Sequence, residues 1–207
     1  MAEITAALVK ELREVTGAGM MACKKALAAV EGDMEKAIEH LREQGLAGAE
    51  KKAGRIAAEG VSFTKLSSDG KRGVVVEVNA ETDFVAKNEK FRTFVDEVAA
   101  QALNSNAKDI TAFLAEKWEL DPSKTVSEQL STTISVIGEN MNIRRFEKLE
   151  EPNGLVQDYV HSGGRIGVLL QVKSSVVNDA VKEMAKNVAM QIAALNPKYI
   201  TRAEVDQ

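Results

Sequence analysis

Cysteine and histidine supply most of the nucleophiles, bases and soft metal ligands that proteins use. Here Cys23, His40 and His161 are the whole inventory. They are scattered singly, without ligand spacing and without a visible base and orienting carboxylate in a signature context. A Cys/His metal cluster and a hydrolase built on Cys23 or His161 therefore both fall away. Gly163-Gly164, just after His161, is too sparse a pattern to cradle a phosphate. A loop histidine beside two glycines reads, on its own, as a solvated turn residue. What remains is non-covalent: Asp83 and Phe84, side by side in Thr82-Asp83-Phe84-Val85. An exposed aromatic next to a fixed carboxylate is an interface anchor, and it calls for no cofactor.

Two elements must position that pair. Before it, Gly73-Val74-Val75-Val76-Glu77-Val78 is a run of β-branched residues and reads as a strand buried on at least one face. After it, Phe91, Phe94, Val95, Val98 and Ala102 recur at three- and four-residue spacing, the stripe of an amphipathic helix. If the helix starts at Asp83, whose carboxylate would cap its first turn, Phe84 lies one heptad before Phe91 and joins the core. If Asn88 is the cap, residues 82–87 form a separate protruding turn and Phe84 points away from the stripe. Spacing alone leaves both open, although an aromatic at helical spacing is more often core than contact.

The segment Glu77-Val78-Asn79-x-x-Thr82-Asp83-Phe84-Val85-Ala86-Lys87-Asn88 resembles the hallmark of the bacterial elongation factor Ts family. Two further runs are similar to signatures of the same family. One is Leu12-Arg13-x-x-Thr16-Gly17-Ala18-Gly19-Met20-Met21-x-Cys23-Lys24-Lys25-Ala26-Leu27, and the other is Ile137-Gly138-Glu139-Asn140-Met141-x-Ile143-Arg144-Arg145. The resemblance implies a guanine nucleotide exchange factor whose partner is elongation factor Tu, with Thr82, Asp83, Phe84 and Val85 dislodging the partner's magnesium. It favours the protruding position of Phe84. It also implies that Met20 and Met21 face the partner, against the alternative that both close a small core. A Tyr-x-His-x-x-x-Arg-Ile-Gly-Val run, matched by Tyr159 to Val168, implies the same for His161. Cys23 reads as core.

At 207 residues the chain has room for two or three small domains. Its formal net charge is −4 and its pI about 5.4. No basic block dominates, so direct nucleic-acid binding is not expected. The first apolar residues, Ile4, Leu8 and Leu12, are interleaved with charges that no signal-peptide core tolerates, and no run is long enough to span a membrane. One cysteine cannot form an internal disulfide and fits a reducing cytoplasm.

Residues 1–45 read as a compact three-helix module, which the family resemblance implies is UBA-like. Ile4, Leu8, Leu12 and Val15 form one stripe, a second helix runs from about Met20 to Val30, and a third follows an Asp33 cap and stops at Gly45. Residues 46–60 read as a linker. In 61–151, strands at 61–66 and 74–78 flank the turn dipeptide Asp69-Gly70, and helices are expected at 109–117, carrying Phe113, Leu114 and Trp118, and at 127–137. A strand at 143–149 rejoins the sheet. In 152–207, Arg165-Ile166-Gly167-Val168 echoes Arg72-Gly73-Val74, and Val188-Ala189-Met190-Gln191 echoes Val98-Ala99-Ala100-Gln101.

The expected fold is therefore α+β: the helical domain, then a core of two repeated antiparallel-sheet-plus-helix subdomains, the second incomplete. The second copy is shorter by about four residues at the place of 82–85, so that turn serves something other than packing. The second copy also looks unfinished, and the resemblance to longer members of the family implies a shortened form, by truncation or by nature. Two function classes stand beside each other, an exchange factor and a passive adaptor using the helical unit and the sheet surface. The turn present in one copy alone favours the first.

Overall fold

A computed structural model describes residues 4–205. α1 (Ala6–Thr16) is capped by the Thr5 hydroxyl, which accepts from the Leu8 N–H, and ends at Gly17 in the left-handed region. α2 (Met20–Ala29) and α3 (Met34–Glu50) complete the helical module, with Asp33 capping α3 through the Lys36 N–H. Val9, Leu12, Cys23, Ala26, Leu27 and Ala37 make its core. Val15, expected on the buried stripe, is 64% exposed. Burial in α1 falls on Val9 and Leu12, with Ile4 and Leu8 packed beside them, and Arg13 to Val15 of the last turn are left outside.

α3 does not stop at Gly45. It runs five residues further, to Glu50. Gly45 is buried with Ser131 and Ser135 of the helix 126–137 beside it, and Arg42 Nη2 donates to Glu128 Oε1 of that helix at 2.7 Å. Tertiary packing outweighs the roughly 1 kcal/mol that glycine costs inside a helix.

β1 (Glu59–Leu66) and β2 (Arg72–Ala80) flank the Asp69-Gly70 turn, where Gly70 takes φ 68°. α4 (Asp83–Ala86) and α5 (Glu89–Asn104) follow. The helix expected over 109–117 is shorter, α6 (Ile110–Ala115). Trp118 lies instead on β3 (Lys117–Trp118), which pairs antiparallel with β4 (Asp121–Thr125). Asp121-Pro122 thus sits on a strand, as proline can at a strand's first residues. α7 (Val126–Ile137) begins with a capping box between Thr125 and Glu128 and ends at Gly138, φ 92°. β5 (Met141–Glu150) rejoins β2, giving a sheet ordered β1-β2-β5.

β6 (Gly154–His161) and β7 (Ile166–Lys173) form an antiparallel pair, and α8 (Asp179–Leu195) packs on it through Ala189 and Ala193 against Val168 and Tyr159. His161 therefore ends a strand rather than sitting in a loop. It is paired with Ile166 across a turn in which Gly163 and Gly164 take positive φ. No helix among the described residues is long and apolar enough to cross a membrane.

The chain divides into two compact units. One holds the chain up to Glu59 together with Ala80–Phe91 and Leu114–Asn142, and the other holds Gly60–Asn79, Arg92–Phe113 and the chain from Ile143 onward. Within the second, the two sheets meet reciprocally. A Cβ on Gly73 of β2 would stand 3.2 Å from Leu169 of β7, and one on Gly167 of β7 would stand 2.9 Å from Val75 of β2. These are matching positions of the two repeats, each glycine lying under the residue two places along the other strand.

Candidate functional site

β2 ends in buried Asn79 and Ala80, and the next two residues are gripped from far along the chain. The Thr82 N–H donates to Glu139 Oε2 at 3.0 Å, and its hydroxyl donates to Glu139 Oε1 at 2.7 Å. The same hydroxyl accepts from the Val85 N–H at 3.3 Å, which makes Thr82 the N-cap of α4. Glu81 Oε1 accepts from the Asn140 N–H at 2.5 Å and lies 3.5 Å from Arg55 Nη1. The Asn140 side-chain amide donates to the Arg55 carbonyl at 2.7 Å. Three remote segments, at 53–55, 81–82 and 139–140, are thereby tied in one polar knot. Gly138 makes this possible by turning the chain out of α7 just before Glu139.

On that base stands a single helical turn. Asp83 Oδ2 accepts from Lys87 Nζ at 2.6 Å, and this hydrogen bond, with the ammonium charge, holds the carboxyl below the usual aspartate range. Ala86 is buried, whereas Phe84 is 82% exposed. A separate cap starts α5, where Asn88 Oδ1 accepts from the Lys90 N–H at 2.9 Å. Helix does begin at Asp83, but Thr82 rather than Asp83 caps it, and it breaks before Asn88. The break takes Phe84 off the stripe that Phe91 occupies. Leaving that ring in water forgoes roughly 2 kcal/mol of burial. No group of three or more His, Cys, Asp or Glu among the described residues could hold a metal ion. The arrangement can present an aromatic ring and a carboxylate in fixed relation.

Met20 and Met21 occupy the first turn of α2, 52% and 64% exposed, so they do not close the core. The loop before them is pinned by Thr16, whose hydroxyl donates to the Leu12 carbonyl at 2.7 Å and accepts from the Ala18 N–H at 3.3 Å. Cys23 is fully buried. His161 belongs to the other unit; it is exposed, with Nδ1 2.9 Å from the Tyr159 hydroxyl. The structure thus gathers Thr82, Asp83, Phe84 and Val85 on one turn and places the two methionines and His161 on other elements. Reading the sequence missed the grip of Glu139 and Asn140. Gly-Glu-Asn directly after a helix end was the available signal, but 57 positions separate Thr82 from Glu139.

A family model described as Elongation factor TS matches residues 81–207, beginning at the residue that opens the gripped turn. Over 204 residues the chain is 56% identical to Elongation factor Ts of Clostridium perfringens (strain SM101 / Type A). It is 53% identical to that of Clostridium novyi (strain NT) and 52% to that of Clostridium botulinum (strain Alaska E43 / Type E3). Each match takes in 99% of this chain and 67% of the relative. The chain belongs to the elongation factor Ts family. Membership makes it a translation elongation factor of the nucleotide-exchange type.

Proposed function

We propose that this chain promotes release of GDP from elongation factor Tu, with the turn at 82–85 acting as a wedge. Phe84 carries the reading: a large aromatic, 82% exposed, on a turn held at its base by Glu139. Asp83 and Phe84 enter the GTPase near its magnesium site and disturb the groups that hold the ion. Magnesium neutralises the nucleotide's phosphate oxygens, so displacing it weakens the whole nucleotide site. Thr82 and Val85 complete the wedge, and Met20, Met21 and His161 supply further contacts to the partner. The exchange is reciprocal: bound nucleotide weakens the factor by the same coupling free energy with which the factor weakens nucleotide. Residues 1–45 serve as a UBA-like module; of the expected linker 46–60, residues 46–50 continue α3 and 59–60 open β1, so 51–58 join the module to core subdomains at 61–151 and 152–207. The action is in the cytoplasm, without direct contact to nucleic acid or membrane.

The test is the release rate of a fluorescent GDP from elongation factor Tu in the presence of magnesium, for the parent chain and for Asp83→Ala and Phe84→Ala. The parent accelerates release, and each substitution lowers the rate by about tenfold or more while circular dichroism stays unchanged. Full acceleration by both folded variants would sink the wedge and leave a contact made elsewhere on the surface.

A further inference from the structure

We infer that Glu139 is the positioning residue of the wedge, the group that sets the direction in which Asp83 and Phe84 are presented; this rests on the exchange reading above. α4 has four residues, a single turn. A lone turn is unfavourable in water, because nucleation fixes several backbone angles for one hydrogen bond. Something outside α4 must hold it.

The local restraints are weak or undirected. The Asp83–Lys87 pair is largely solvent-exposed, and exposed i,i+4 pairs contribute little. Ala86 is the buried residue of the turn and offers one methyl group. The Thr82 cap fixes the turn to Thr82 but leaves Thr82 itself to be fixed. Glu139 does this with both oxygens, one taking the backbone N–H and the other the hydroxyl. Two charge-assisted bonds from one planar carboxylate restrict orientation as well as distance. The residue that orients the cap thereby orients the whole turn.

Glu139 is itself held. Its neighbour Asn140 is 8% exposed, donates its N–H to Glu81 and places its side-chain amide on the carbonyl of Arg55 at 2.7 Å. Glu139 makes no contact with the partner in this scheme and acts through Thr82.

The experiment is a titration of elongation factor Tu loaded with fluorescent GDP, in magnesium, reading the plateau release rate and the half-saturating concentration of this chain. Glu139→Ala lowers the plateau by about tenfold with half-saturation unchanged, because the remaining surfaces still dock and the wedge is misaimed. A purely structural role would reduce the folded fraction, which raises half-saturation and leaves the plateau intact; that result overturns the inference. An unchanged plateau overturns it as well. Should Glu139→Ala fail to fold, Glu139→Gln decides. Glutamine keeps the shape of the side chain but can accept from only one of the two Thr82 donors, so it lowers the plateau with half-saturation unchanged; a full plateau in folded Glu139→Gln would overturn the assignment. Phe84→Ala is run alongside. A full plateau in that variant sinks the wedge itself, whereas a lowered plateau there with a full one in Glu139→Ala sinks only the positioning role.

Discussion

Phe84 and Phe91 are the same residue one heptad apart, yet Phe84 is 82% exposed and Phe91 is fully buried. Their truncations must therefore behave oppositely. Phe84→Ala leaves the unfolding free energy from urea titration within about 0.5 kcal/mol of the parent, as surface substitutions do, while Phe91→Ala costs about 3–5 kcal/mol through lost burial and a residual cavity. A large loss from Phe84→Ala would show that its ring packs in solution. The residue types of the site were legible: Thr82, Asp83 and Phe84 stand out between a strand and a helix. Which of two starts the helix takes was not, because Asp83 and Asn88 are both good caps. The decision fell to Thr82, held by a carboxylate that no local pattern connects to it.

At the scale of elements, helix ends were read well where local chemistry sets them. The Asp33 cap of α3 and the end of α7 at Ile137 stand where they were expected, whereas the capping box of Thr125 with Glu128, which was not foreseen, starts α7 one residue before the expected 127. Reading failed where a neighbour intervenes. Gly45 looked like a stop, but α3 continues past it beside α7. A Cβ added there would lie 3.7 Å from Ser135 Cβ, an ordinary contact. Gly45→Ala is thus expected to stabilise the protein by about 0.5–1 kcal/mol, the helix-propensity difference, in urea or thermal unfolding. Destabilisation would mean that the two helices approach more closely than this spacing. Trp118 was placed on a helix by its distance from Phe113 and Leu114. It lies on β3, because pairing with β4 satisfies backbone groups that two residues of sequence cannot reveal.

Across the whole molecule, several carboxyl groups lie below their ordinary range. Glu128 is lowered first by the Thr125 N–H and then by the Arg42 charge. For Glu77, burial pushes the carboxyl up, but the hydrogen bond and charge of Arg145, with Asn79 and Arg144, outweigh it. Groups depressed in this way stabilise the fold above their unfolded values and lose that contribution as protons bind. Glu97, raised by burial and by Asp96, works in the opposite direction. The urea midpoint should therefore hold near neutrality and fall as the pH drops below about 4.5, and Glu128→Gln should shallow the fall. A midpoint that rises on acidification would contradict the assignment. The repeat, the α+β class and the extra turn of the first copy were all determined by the sequence, since strand and helix periodicity and turn chemistry are local properties. Only the tertiary structure decided that Gly73 and Gly167 face each other's strands, that α3 runs on beside α7, and that Glu139 reaches back to Thr82. Each joins positions far apart in the chain, and such contacts are chosen by the packing of the whole rather than by the residues on either side.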